Sequence, residues 1–216
     1  MNVLCVSCSN VLHRRTESAS TKVCALIKEI VQERQTSIHV KTLRLVDYKL
    51  SNCVFCGQCL HAERCVYDEE FNQIYQKLKE SDRIVLVVPF YSVIPSKLTM
   101  IMEKLNQIYY TAWLKNPDRA FALRGKKIAV IAHGGSVLRD NPNAQQVYTS
   151  LLLQPLHYSL TSFGFDVVGL DGDRAQGTTF GVEGYDNRED AIFPDMIHNW
   201  TEIKETISPL VDQLIQ

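Results

Sequence analysis

Two hydrophobic periods take turns along the chain. One suits buried strands and the other amphipathic helices. The run NVLCVS at 2–7 reads as a buried strand. Residues 19–33 then place Val23, Leu26, Ile27, Ile30 and Val31 at i, i+3, i+4 spacing, the stripe of a helix. Alternation over 38–45 predicts a second strand. Asp68 reads as an N-cap before a helix carrying Phe71, Ile74, Tyr75 and Leu78 on one face, with Glu69 and Glu70 in its first turn. Residues 83–88, RIVLVV, form a continuous apolar strand suited to a sheet covered on both faces. Pro95 can open a helix with the stripe Leu98, Ile101, Met102, Leu105, Ile108 and Tyr109. A fourth strand is expected at 127–132. A helix follows from Asn141-Pro142, which Pro155 should kink or end. A fifth strand is expected at 165–170, a polar loop or flap at 171–193, and a last helix with Met196, Trp200, Ile203, Ile207, Val211 and Leu214.

Five strands alternating with helices argue for an α/β fold, a doubly wound parallel sheet in a single domain over 1–216. Ligands on such sheets bind beyond the carboxyl ends of the strands. The loops after residues 7, 45, 88, 132 and 170 are therefore the places to look for chemistry. With 23 Lys+Arg against 24 Asp+Glu, the charge balance gives no reason to expect nucleic acid or a membrane as partner. The longest apolar run, 84–91, is too short to span a bilayer, and the chain starts directly on a strand without a basic, apolar leader. A cytoplasmic protein is the expectation.

The loop after the first strand, 7–21, is rich in hydroxyls, holds Arg14 and Arg15 and runs into a helix N-terminus. That arrangement suits a phosphate, and equally a capped helix with Ser18 or Ser20 as N-cap. It lacks the glycines of a P-loop or dinucleotide fingerprint, so the phosphate of FMN fits better than ATP or a dinucleotide. The loop after the third strand, PFYSVIPSKL, could lay aromatics against a planar ring. Gly134-Gly135 after the fourth allows close backbone approach or a simple tight turn.

Four of the seven cysteines fall in NCVFCGQCLHAERC, residues 52–65, spaced C-x2-C-x2-C-x5-C. In a reducing compartment such a cluster points to metal ligation or redox chemistry more than to disulfides. The compact spacing favours iron–sulfur ligation over the separated pairs of zinc sites. Zinc, free redox thiols and disulfides stay open as alternatives. His61, inside the loop, is a spare ligand or a solvated residue. Cys5 and Cys24 read as small core residues, and Cys8 as a loop thiol that could react. Trp113 and Trp200 read as core or interface aromatics.

The Ser-rich loop 7–21, the cysteine motif followed by CVYDEEF (65–71), the segment VVPFYSVIPSKLTMIMEKL (87–105) and LRGKKIAVIAHGGS (123–136) occur in an order that resembles the flavodoxin-like NAD(P)H-dependent FMN reductases. Within them, the likeness is to the iron–sulfur flavoproteins. The resemblance implies a flavodoxin-like fold that binds FMN at the strand ends. Ser7, Ser9, Ser18, Ser20 and Thr21 would surround the phosphate, with Arg14 and Arg15 as added cationic donors. Pro89, Phe90, Tyr91, Ser92 and Val93 would line the ring, and Gly134, Gly135 and Ser136 would face its other edge, with His133 able to hydrogen-bond it. Cys53, Cys56, Cys59 and Cys65 would hold a [4Fe–4S] cluster. The activity implied is an electron-transferring oxidoreductase with NAD(P)H or a protein as donor. A quinone, azo or nitro reductase whose cysteines carry no electrons is the first alternative, and a non-catalytic flavodoxin-like carrier the second. A homodimer or homotetramer is also implied, with 171–193 covering the neighbour's flavin. Four departures are plain: Cys8-Ser9 stands where the family's loop opens with Gly-Ser, Ala19-Ser20-Thr21 where it ends in Gly-Asn-Thr or Ser-Asn-Thr, Ser92 where an aromatic often follows the Tyr, and Glu103-Lys104 where it has Asp-Arg.

Overall fold

The computed structural model describes residues 1–91, 93–115, 121–138, 140–169, 177–186 and 195–216. Its centre is a parallel sheet of β1 (Asn2–Ser7), β2 (His39–Arg44), β3 (Arg83–Pro89), β4 (Lys127–Val137) and β5 (Asp166–Val168) in the order β2-β1-β3-β4-β5. This is the flavodoxin-like order. Strand register places Cys5 between Thr42 of β2 and Val85 of β3.

Alternate strand residues feed two cores, because side chains on a strand point to opposite faces. Val3, Cys5, Val85, Val87, Ala129 and Ile131 pack on one face with α1 (Ala19–Arg34) and α7 (Trp200–Ile215). Leu4, Val6, Ile84, Leu86, Ile128 and Val130 pack on the other. That second face is covered by α3 (Glu69–Glu80), α4 (Ser96–Lys115), α5 (Pro142–Tyr148) and α6 (Gln154–Ser162), while a short α2 (Cys59–Ala62) lies in the cysteine segment.

Four expectations are corrected. The sheet has a sixth strand, β6 (Thr178–Val182), inside the segment read as a loop or flap. It pairs parallel with β4 at Ile131–His133, beyond the stretch 127–129 that pairs with β5, so two short strands share one edge of β4. β7 (Gly184–Asp186) and β8 (Asp195–Ile197) form a separate antiparallel pair, and Met196 belongs to β8 rather than to the last helix. That helix starts after Asn199, whose side chain accepts from Glu202 N at 3.2 Å. The remaining positions of the loop, 171–176 and 187–193, lie outside the described residues. Pro155 does not end the helical run: a π-helical turn, Thr149–Leu153, separates α5 from α6, and Pro155 stands at the start of α6. β4 runs on to Val137, so Gly134 and Gly135 lie in a strand and not in a turn.

Candidate flavin and cysteine site

Strand order reverses between β1 and β3, so the loops after Ser7 and Pro89 flank the crevice where such sheets bind ligands. Cys8 N donates to Val87 O at 2.9 Å and ties the first loop to β3. The loop then forms a 3-10 helix, Leu12–Glu17, before α1. Ser18 is the N-cap, accepting from Thr21 N. Ser7 and Thr21 share a hydrogen bond of 2.9 Å between hydroxyls, and Ser18 Oγ donates to Thr21 Oγ1 at 3.0 Å. Ser7, Ser18 and Thr21 therefore converge on the first turn of a 16-residue helix, where free N–H groups and the helix dipole favour an anion.

Ser9 is buried, accepts from Val11 N at 3.2 Å and meets Tyr91 Oη at 3.3 Å, joining the first and third loops. Asn10 was missed in the sequence reading. Its amide nitrogen donates to Ser96 Oγ at 3.2 Å, while its buried Oδ1 has no partner among the described residues. A buried acceptor left open in this crevice fits a ligand donor group.

The two arginines are already engaged. Arg15 Nε lies 3.0 Å from Asp47 Oδ1, and Arg14 pairs with Asp195 on β8. Ser20 is buried and bonds His133 Nε2 at 2.8 Å. His133 stacks on Phe180, ring centroids 4.9 Å apart. Burial, and then the charge of His198, push the His133 pKa down to about 3, so this imidazole is neutral. Pro89 ends β3, and Phe90 N donates to His133 O at 2.7 Å. The Phe90 ring packs on Tyr148, centroids 5.6 Å apart, which turns it toward the core. Tyr91 and Val93 are exposed at the rim, and Val93 holds φ 117°, a conformation that is unusual for a β-branched residue. Ser92 lies outside the described residues.

The Gly134-Gly135 pair has a packing reason that the sequence hid. A Cβ on Gly134 would collide with the Tyr148 ring, whose Oη accepts from Ser136 N at 3.0 Å. Gly135 makes room for Met196, and its carbonyl accepts from Tyr185 Oη. β7 and β8 thus fold over this chain's own Gly135 and Arg14. Cys8 is wholly buried, and burial pushes its thiol pKa far up, which corrects the expectation of a reactive loop thiol.

Cys53, Cys56, Cys59 and Cys65 line one small pocket, together with Phe55, Tyr67 and Lys104. All seven cysteines are free. Gly57, between Cys56 and Cys59, holds φ 70°, which favours glycine there. Asn72 clamps Cys65 from both sides: its Oδ1 accepts from Cys65 N at 2.9 Å and its Nδ2 donates to Cys65 O at 2.7 Å. The Cys59 thiol pKa is pushed up by burial first, then by Cys65, and less by Cys56 and Cys53. The four thiols are therefore electrostatic neighbours. Among the described residues, however, no three His, Cys, Asp or Glu side chains stand close enough to hold a metal ion as they are. A donor set of four cysteines in one pocket still fits an iron–sulfur cluster in chemistry and number. His61 is exposed.

A cavity of about 1360 Å³ lies elsewhere, between β2 and α3. It is lined by residues such as Lys41, Glu69, Lys77 and Glu80 and holds none of the groups proposed for the flavin, so its size does not make it the flavin site. No helix among the described residues is long and apolar enough to cross a membrane.

The comparisons agree with the fold. The curated iron–sulfur flavoprotein of Methanosarcina thermophila is 26% identical over 160 residues, 74% of this chain and 74% of that one. An NADH:FMN oxidoreductase structure, in apo form, superposes with TM-score 0.59 at 15% identity, covering 99% of this chain and 89% of that one. An azoreductase from Bacillus anthracis gives TM-score 0.56 at 18% identity, covering 99% and 96%. The family model for the flavodoxin-like fold matches residues 1–203. The chain belongs to this flavodoxin-like family, and its curated relatives lie in the iron–sulfur flavoprotein branch.

Proposed function

We propose that the chain is an FMN-dependent oxidoreductase that moves electrons between a nicotinamide or protein donor and an acceptor, with a [4Fe–4S] cluster on Cys53, Cys56, Cys59 and Cys65. The observation that carries this reading is one spatial relation. The hydroxyl-lined helix N-terminus and the Tyr91 rim sit at one end of α4, and the four-cysteine pocket lies against the middle of the same helix. Asn10 bonds Ser96 at the start of α4, and Lys104 lines the cysteine pocket; eight residues of helix separate them by about 12 Å.

FMN, when bound, supplies hydride acceptance at N5 and transfer of electrons one at a time. The chain's own groups bind and orient it. Ser7, Ser9, Ser18, Ser20, Thr21 and the N-terminus of α1 receive the phosphate. With both arginines committed to carboxylates, the anchoring comes from hydroxyls and backbone N–H groups. Neutral His133 fixes the Ser20 hydroxyl without adding charge. Pro89, Tyr91, Ser92 and Val93 form the ring wall, with Phe90 turned to the core and contributing its backbone, and Gly134, Gly135 and Ser136, backed by Tyr148 and Tyr185, form the opposite edge. The four thiolates hold the cluster. A single domain over 1–216, acting in the cytoplasm as a homodimer or homotetramer, completes the reading.

One observation favours a second reading. The thiols are not drawn together for a metal among the described residues, and structural neighbours bear the names azoreductase and NADH:FMN oxidoreductase. That reading is an FMN reductase whose cysteines carry no electrons. A visible spectrum of protein purified without oxygen, with iron and acid-labile sulfide assayed on the same sample, separates the two. Flavin bands with about four irons per chain support the cluster; flavin without iron supports the second reading. No flavin uptake after adding FMN would sink both. A Ser9→Ala, Thr21→Ala variant should lose FMN binding.

A further inference from the structure

Lys104 lies midway along α4 and is only 2% exposed, a depth at which lysine is rare unless paired. Its ammonium donates to Asp68 Oδ2 at 2.8 Å and to the Ser51 carbonyl, and sits 5.5 Å from the centre of the Phe71 ring. Asp68 is itself saturated. It accepts from Ser51 N at 2.9 Å, from Ser51 Oγ at 3.0 Å, and from Phe71 N at 2.8 Å as the cap of α3. Burial pushes its carboxyl pKa up, but the bonds from Lys104, Ser51 and Phe71 hold the net value below the ordinary one.

Ser51 stands just before Cys53 and Asp68 just after Cys65, so one buried ion pair joins the two ends of the cysteine segment. Two turns earlier on α4, Lys97 donates to the carbonyls of Leu45, Val46 and Tyr48 at 3.0, 3.1 and 2.6 Å, pinning the approach to that segment. Lys104 is also the one charged side chain among the described residues lining the pocket of the four cysteines.

We propose that Lys104 is the positioning residue of the cysteine site: through Ser51 and Asp68 it closes the neck of the segment and so holds the four thiols in place. The consequence for iron uptake rests on the cluster reading; the closing of the neck does not. A protein that removes Lys104 alone strands the Asp68 carboxylate in the core. The test therefore uses Asp68→Asn with Lys104→Met, a neutral pair of similar shape, and flavin content with far-UV circular dichroism confirms the fold.

In metal-free protein, alkylation by iodoacetamide is followed at each cysteine by peptide mass spectrometry. The buried Cys59 should react about tenfold faster in the double variant than in the wild type, with the exposed Cys56 as internal reference. Equal rates overturn the neck-closing role. Both proteins are then reconstituted with ferrous iron and sulfide without oxygen. The variant should keep less than half the wild-type iron per flavin. Unchanged iron overturns the thiol-holding role while leaving the cluster reading intact. A wild type that takes up no iron overturns the cluster reading, and the alkylation result still decides the neck. Should the double variant fail to fold, Asp68→Asn alone is alkylated in the same way; a Cys59 rate equal to that of the wild type overturns the neck-closing role.

Discussion

Replacing His133 with glutamine tests how the floor of the proposed phosphate site is built. His133 is buried, bonds Ser20 and stacks on Phe180. Burial first, then the charge of His198, hold its pKa down to about 3, against an ordinary 6.5. An unfolded chain binds that proton near 6.5, while the folded one refuses it down to about 3. The unfolded state therefore holds more protons across that window, and stability is lost as pH is lowered through it; above pH 7.5 the group adds no dependence. At about pH 5 the unfolded imidazole is protonated with a free-energy gain of about 2 kcal/mol that the folded state cannot match. Glutamine keeps an amide able to bond the Ser20 hydroxyl and cannot titrate. Urea unfolding followed by circular dichroism at about pH 7.5 and pH 5 gives the comparison. Wild type should lose about 2 kcal/mol more than the variant on acidification. His198, whose pKa is also lowered by burial, is present in both proteins and contributes to both. A difference below about 0.5 kcal/mol would show that His133 takes up its proton normally in the folded protein, and the buried, neutral role would be wrong.

Other consequences are as direct. Gly134→Ala drives a methyl into the Tyr148 ring and should cost about 1–3 kcal/mol by thermal denaturation, whereas Gly184→Ala, with open space at its Cβ, should change stability by less than about 0.5 kcal/mol. Ser18→Ala removes the α1 cap and should cost about 1 kcal/mol of stability; equilibrium dialysis should show FMN bound about fivefold more weakly. Asn72→Ala frees the Cys65 backbone on both sides, and reconstituted protein should hold less iron per flavin with the flavin content unchanged.

The parts of the fold that local pattern controls were legible. β1 and β3 are unbroken apolar runs, and α3 has Asp68 as its cap and four apolar residues on one face. β6 was hidden because Thr178, Thr179 and Gly181 look like loop residues, yet the edge of β4 buries both threonines. Met196 fits the helical spacing to Trp200, but Asn199 sets the true start of α7. At the site, the hydroxyls around α1 could be read from one loop. The commitments of Arg14 and Arg15 could not, since Asp195 lies 181 residues from Arg14. Nor could the burial of Lys104, because a lysine in a helix reads as solvated until its partner across the fold is known. The reason for the glycine pair was equally distant: Tyr148 and Tyr185 belong to other elements.

The strand order also bears on how the chain is made. β1 is made before β2 and β3, yet it occupies an interior lane, with β2 on one side and β3 on the other. Until synthesis has passed Pro89, one edge of the first strand has no partner, and its apolar face lacks the cover that α4 later gives it. Parallel pairing between distant segments is slow because loop closure comes before the contacts that reward it. A nascent chain stalled near residue 80 should therefore be protease-sensitive and held by chaperones, and one extended past α4 should gain its first resistant core.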